Sequence, residues 1–228
     1  RSSCEAMNLD FATITNNFSF LLSGYWTTVV LTFWTVIGGY VFGTPLAVAR
    51  ASNTQFSRYL AISIIEIVRA TPLLMLLFWI FFMLPVVTGQ PVSAYTTALI
   101  ALTIFNTSYS AEIIRAGIQA VHRGQTEAGL ASGLSRIQVL RKVVLPQAFS
   151  TMTPAMMNQF VMVYKSTSMV YIIGVTDFFN AADIVNNREF RPIEIFLFVG
   201  IVYFIPSTCI SRLSAYIGRR RQIRMSFA

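Results

Sequence analysis

The hydrophobic positions of this chain are gathered into long stretches that carry no charge. Residues 11–49, 70–111 and 195–211 contain no Asp, Glu, Lys or Arg. A stretch of about 20 apolar residues is long enough for a helix to cross a bilayer, where a helix satisfies its own backbone hydrogen bonds. The pattern predicts an all-α membrane protein with five transmembrane helices, at residues 22–49, 60–84, 93–119, 147–175 and 192–217.

Composition and charge exclude several other classes of protein. Of the 228 residues, 55% are hydrophobic and 11% are charged, whereas a soluble domain carries about a quarter charged residues. The net charge of +8 does not indicate nucleic-acid binding, because the basic residues lie beside the apolar stretches rather than on one amphipathic face. Cys4 and Cys209 lie far apart in the sequence and show neither the spacing of a metal site nor a disulfide framework.

The uneven distribution of Lys and Arg between the spans predicts the orientation. One side holds ten basic residues, and the other holds three that are diluted by six acidic residues. We therefore expect the N-terminus outside and the C-terminus inside, with an external segment at 1–21, an internal loop at 120–146 and a basic internal tail at 218–228. Met7 is a candidate for the natural start, which would leave residues 1–6 as additional sequence.

The internal loop contains a polar, small-residue stretch at residues 125–146. Thr126 is expected to cap a short helix, and Gly133 to end it in the left-handed conformation. Ser135 and Gln138 have the spacing of a capping box for a second helix, and Pro146 is expected to break the chain before the next span. From these residues alone, the stretch is either an ordinary loop or a surface that fits a partner's groove.

The same stretch resembles the EAA loop of binding-protein-dependent ABC importer permeases. It carries Glu127-Ala128-Gly129, then Gly133, Val143 and Leu145-Pro146 at the family's spacing, with Gly129 in place of Ala and Val143 in place of Ile. Three further segments resemble the polar amino-acid branch of this family, namely Glu66–Leu74, Ala111–Gln119 and Lys165–Met169. Residues 175–179 lean toward its glutamate/aspartate members.

The resemblance implies a type I ABC importer permease whose domain covers residues 22–217, in the bacterial inner membrane. It implies import of polar amino acids, including glutamate or aspartate as candidates. The expected partners are ABC ATPase subunits, a periplasmic amino-acid-binding protein, membrane lipid, and a sister permease or a second copy of this chain. The sequence has no GxxxxGK[ST] phosphate loop, so we expect no cofactor and no enzyme activity here, with ATP and Mg²⁺ held by the ATPases. The residues expected to couple to the ATPases are Glu127, Ala128, Gly129 and Gly133.

Ionisable residues inside the predicted spans are candidates for a substrate path, because such residues are costly in a membrane. Counted along two antiparallel helices, Glu66 comes level with Arg115, and Arg69 with Glu112. The four are either a structural lock or part of the path. Lys165 either has a structural role or meets a substrate carboxylate. The full candidate set is Glu66, Arg69, Asn106, Tyr109, Glu112, Arg115, Lys165, Ser166, Thr167 and Ser168.

Two other functions compete with the importer. An ion-coupled secondary amino-acid carrier would use Glu66 and Glu112 as proton sites, and it predicts interrupted helices in matching halves. The sequence shows no internal repeat and no such interruption. A membrane anchor without a transport path would leave the charges inside the spans unexplained.

Overall fold

The computed structural model describes residues 11–226 except residue 53, with side chains up to residue 219. Residues 1–10, and with them Met7 and the first half of the N-terminal segment, therefore lie outside the described part, as do the side chains of most of the basic tail. The described backbone is helical: α1 (Ala12–Asn16), α2 (Phe18–Arg50), α3 (Gln55–Ala70), α4 (Leu73–Thr88), α5 (Ala94–Gln119), α6 (Arg123–Ala131), α7 (Arg136–Val139), a π-helical turn (Leu140–Val144), α8 (Leu145–Ser166), a 3₁₀ turn (Thr167–Ile173), α9 (Phe178–Glu189) and α10 (Pro192–Ser226).

The prediction of an all-helical membrane protein is confirmed. Within the described residues, three single helices are long and apolar enough to cross a membrane, at Phe18–Arg50, Ala94–Gln119 and Pro192–Arg219. Two bent helix pairs raise the number of spans to as many as five.

The second predicted span is not one helix, and this part of the prediction was wrong. Helices α3 and α4 meet at an angle of 106°. Thr71 lies between them in an extended conformation, with φ −88° and ψ 129°. A residue that precedes proline is sterically driven out of the helical region, so Pro72 explains the break.

The fourth span differs from the prediction at both ends. The chain is helical without interruption from Arg136 to Ile173, and this segment is bent by 51° relative to α9. Pro146 therefore does not break the chain. Its ring would clash with the carbonyl of Lys142 in a regular helix, and the π-helical turn that contains Lys142 widens the backbone at this point.

The centre of the fold is the contact between α2 and α5. A buried cluster that includes Leu31, Leu77, Leu102 and Val170 joins these helices to α4 and the 3₁₀ turn. Close approach depends on small residues, since a Cβ atom added at Gly39 of α2 would lie 2.0 Å from the side-chain amide of an α5 residue. A second buried cluster joins the start of α2 to α9 and α10.

Candidate functional site

The loop helix α6 begins at Arg123, earlier than the sequence predicted. His122 caps it, and its Nδ1 atom accepts a hydrogen bond from the N–H of Gly124 at 3.2 Å. Thr126 lies inside the helix, so its predicted capping role was wrong. The imidazole of His122 takes this role because its unprotonated ring nitrogen is an acceptor.

The end of this helix and the start of the next were predicted correctly. Gly133 has φ 81°, and the N–H of Leu134 bonds back to the carbonyl of Gly129 at 3.2 Å, as in a Schellman motif. Ser135 and Gln138 form the predicted capping box. Local hydrogen bonds therefore fix both ends of α6 (Arg123–Ala131).

The exposed face of the loop combines one acidic residue with apolar side chains. Glu127 and Ala128 are exposed, as are Leu130 (41%) and Ile137 (65%). Gly129, predicted to couple to the ATPases, is instead buried, and a Cβ atom there would lie 3.0 Å from Val139. The absence of a side chain at Gly129 lets the two loop helices pack closely. Apolar side chains exposed in a polar loop are typical of a protein-docking surface.

An ion-pair network lies where α2, α3 and α5 meet. The centre is Arg50, whose Nη1 atom is 3.1 Å from Glu112 and 3.5 Å from Glu66. Arg115 pairs with Glu112 on its own helix, with its Nε atom 3.0 Å and 3.1 Å from the two carboxylate oxygens. The predicted pairings of Glu66 with Arg115 and of Arg69 with Glu112 were therefore wrong. The sequence analysis had treated Arg50 only as an orientation signal.

Arg69 makes no ion pair within 4 Å among the described residues, although its charge interacts with that of Glu112 at longer range. Its guanidinium carbon lies 5.3 Å from the ring centroid of Tyr109, which is a cation–π contact. Among the described residues, no carboxylate lies within 4 Å of it, whereas Arg50 and Arg115 each have one. Arg69 lies in the wall of a cavity of about 320 Å³ between α3, α5 and α8, lined also by Tyr109, Glu112, Ile113, Ala116, Gly117, Thr151, Met152, Ala155 and Gln159.

Asn106 does not lie on the wall of this cavity, although it was a candidate. It is fully buried, and its Nδ2 atom donates to the carbonyl of Thr35 at 3.1 Å. Its Oδ1 atom accepts from Gln159 Nε2 at 2.8 Å. Asn106 therefore joins α2, α5 and α8. Its partner Gln159 lines the cavity, although it was not among the candidate residues.

The residues around Lys165 have different roles. Lys165 is exposed and, with Ser166, lines a groove between α8 and α10. Thr167 is fully buried, and its hydroxyl donates to the carbonyl of Tyr164 at 2.8 Å. The hydroxyl of Ser168 donates to the carbonyl of Lys165 at 2.8 Å. Lys165 and Ser166 therefore line the groove, whereas Thr167 is buried and its hydroxyl bonds within its own turn.

Comparison with known proteins decides between the functions considered above. The family described as "binding-protein-dependent transport system inner membrane component" matches residues 39–223. The chain belongs to this family. It is therefore a permease subunit of an ABC importer, and the carrier and anchor hypotheses were wrong.

Relatives of this family match over nearly the whole chain. The glutamate/aspartate import permease protein GltK of Escherichia coli O6:H1 is 35% identical over 218 residues, which cover 92% of this chain and 97% of that protein. The glutamine transport system permease protein GlnP of Escherichia coli K12 is 31% identical, with coverages of 95% and 100%. A solved structure described as an amino acid ABC transporter with histidines has a TM-score of 0.85 at 34% identity, with coverages of 94% and 100%.

Membership of this family settles two further points. The permease subunit is not itself an enzyme, because ATP hydrolysis belongs to a separate subunit of the importer. Its partners are an ABC ATPase and a substrate-binding protein, as the family's description implies. The helix breaks after Ala70 and after Ile173 belong to this permease fold, although no interruption was predicted from the sequence.

Proposed function

We propose that this chain is one of a pair of transmembrane subunits that import polar amino acids across the bacterial inner membrane. It crosses the membrane five times within residues 22–217, with its N-terminus outside and its C-terminus inside. The other subunit is a sister permease or a second copy. ATP and Mg²⁺ are held by the ATPases, which dock against α6 through the exposed surface around Glu127 and Ala128. The names of the relatives and the charge asymmetry of the loops support this proposal.

The position of Arg69 is the observation that supports amino acids as the substrate class. Of the three arginines in this region, it alone has no carboxylate within 4 Å among the described residues, and it lines a cavity. A cavity of about 320 Å³ falls at the lower end of the range of small-ligand sites. A guanidinium group binds a carboxylate through paired hydrogen bonds, and every amino acid carries an α-carboxylate.

The rest of the cavity wall suits a small polar ligand. Glu112 is already engaged by two arginines, so it holds the wall in place rather than offering a free charge. The amide nitrogen of Gln159 is occupied by Asn106, which leaves the amide oxygen to accept from a ligand ammonium group. The cavity therefore offers one cation for a carboxylate and one neutral acceptor for an ammonium.

The test uses the complete importer in proteoliposomes with ATP inside. We expect ATP-dependent uptake of L-glutamine that is not competed by 4-aminobutanamide, the same molecule without its α-carboxylate. Arg69→Gln should lower glutamine uptake at subsaturating concentration by about tenfold or more, which corresponds to about 1.4 kcal/mol. The control is Arg58→Gln on the same helix, since Arg58 is exposed and does not line the cavity.

Two results would contradict this assignment. If the Arg69→Gln and Arg58→Gln variants take up glutamine equally well, the cavity does not bind the α-carboxylate. If uptake follows a proton gradient and not ATP, the importer mechanism itself is wrong for this chain.

A further inference from the structure

A groove runs along the seam between α8 and α10, away from the Arg69 cavity. It has a volume of about 550 Å³. A neighbouring cavity of about 390 Å³ shares Lys165 and Ser211 with it, so the two form one continuous depression. Its wall is rich in hydroxyl groups for a surface at membrane depth, because Ser207, Thr208 and Ser211 of α10 all lie in it.

Two cations line this groove, Lys165 of α8 and Arg212 of α10. Neither makes an ion pair within 4 Å with the described residues. Arg212 directly follows the charge-free stretch at 195–211 and lies seven residues, or about 10 Å along the helix, before Arg219. A cation beside an apolar span is stabilised by an anion or by water, and no described carboxylate supplies that anion within 4 Å.

Ser207 is an independent sign of a ligand. It is only 8% exposed, and its buried Oγ atom has no hydrogen-bond partner among the residues that the structure describes. The same residue lines the groove between the two cations. Leaving a buried hydroxyl unpaired costs free energy, which a ligand oxygen in the groove would recover.

The register of the two helices places the Lys165 end of the groove farther from the loop than the Arg69 cavity. The hydroxyl of Tyr164 donates to the carbonyl of Val202 at 3.3 Å, which puts Lys165 level with that part of α10. The hydroxyl of Ser214 donates to the carbonyl of Pro154 at 3.0 Å, so the Arg212 end of the groove is level with the cavity, which residues from Thr151 to Gln159 of α8 line. A solute that enters opposite the loop would meet the Lys165 end first.

We propose that this groove binds the side-chain carboxylate of an acidic amino acid in transit, with Lys165 and Arg212 supplying the charge and Ser207 a hydrogen bond. The inference rests on the proposed function and adds the substrate class, glutamate or aspartate. A lipid phosphate is the competing occupant, and the experiment below distinguishes the two.

The test compares L-glutamate with L-glutamine, which differ by a carboxylate and an amide of nearly the same shape. Uptake of each is measured in proteoliposomes with the complete importer. Because the same binding protein is present throughout, its own preference cancels when variants are compared. We expect Lys165→Met and Arg212→Gln each to lower the ratio of glutamate to glutamine uptake by about tenfold. The matched control is Arg219→Gln, which removes an exposed arginine of the same helix outside the groove.

The variant Ser207→Ala removes only a hydroxyl group. It distinguishes a ligand-binding role of Ser207 from a structural one. If the hydroxyl is merely unpaired, its removal leaves stability unchanged or raises it and does not affect transport. The proposal instead predicts a higher KM for glutamate, by about three- to tenfold, with KM for glutamine and thermal stability unchanged.

The outcomes are distinguishable. Equal losses for both amino acids, or no loss for either, would overturn the groove assignment while leaving amino-acid import intact. If the wild-type complex transports neither amino acid, the proposed function fails and the groove assignment with it. If the variants instead lose only the response to phosphatidylglycerol in phosphatidylcholine vesicles, the groove holds a lipid headgroup and the proposal is wrong.

Discussion

Replacing Asn106 with alanine should destabilise the protein by removing hydrogen bonds that join three helices. Asn106 is fully buried in α5, donates to the backbone of Thr35 in α2 and accepts from Gln159 in α8. The variant loses both bonds at once. It also leaves the Gln159 amide nitrogen without its partner in a buried position.

The size of the effect follows from these contacts. Loss of the bond to Thr35 costs about 1 kcal/mol, and loss of the bond to Gln159 with its donor left unpaired costs about 1–3 kcal/mol. We expect Asn106→Ala to lower the free energy of unfolding by about 2–4 kcal/mol. Gln159→Leu in the Asn106→Ala background should cost less than in the wild type, with a coupling of about 0.6–1.7 kcal/mol, the usual range within membranes.

The measurement is a double-mutant cycle on the purified protein, unfolded by SDS in mixed micelles. Asn158→Ala is the matched control, because Asn158 is the neighbour of Gln159 on α8 but lines the other depression. Its effect should add to that of Asn106→Ala within about 0.5 kcal/mol. Additivity between Asn106 and Gln159 would refute the reasoning, since two side chains that share a buried hydrogen bond have to be coupled.

Four further outcomes are expected. Glu127→Lys should reduce ATP-driven uptake by about tenfold with assembly intact, and full uptake in this variant would exclude this side chain from coupling. Gly133→Ala should lower stability by about 1–2 kcal/mol, measured by thermal unfolding, because φ is 81° there; an unchanged Tm would contradict a rigid helix end. Gly39→Ala should cost about 1–3 kcal/mol in the same assay, because the new Cβ would lie 2.0 Å from Asn106; a neutral effect would mean that α2 and α5 separate freely. Arg50→Gln should lower the free energy of unfolding by about 1 kcal/mol or less, because its ion pairs are partly exposed to solvent. A loss of several kcal/mol would show that water is excluded from the ion-pair network.

Features that depend on neighbouring residues were predictable from the sequence. The left-handed Gly133 and the capping box of Ser135 and Gln138 are local patterns, and both are present. The start of α6 was missed because Thr126 is the more common type of capping residue, whereas His122 caps through its ring. The break at Thr71 did have a signal, the following Pro72, which the uninterrupted run of apolar residues obscured.

The candidate site was less predictable because it depends on how three helices are placed. Counting residues along two antiparallel helices cannot show that Arg50 of a third helix reaches both glutamates. Nor can it show that Asn106 is buried while Arg69 lines a cavity. The sequence identified which residue types were costly in a membrane, and the tertiary contacts determined which of them were already paired.

The uninterrupted helix from Arg136 to Ile173 has a mechanical consequence for the importer. It spans 38 residues, so it is about 57 Å long at about 1.5 Å per residue. One end lies in the loop that carries the ATPase-facing surface, and the other passes Lys165. If the segment moves as one body, a tilt of about 5° at the loop end displaces the far end by about 5 Å over this length. The π-helical turn at Leu140–Val144 and the internal Pro154 are the positions where a bend would absorb part of that displacement.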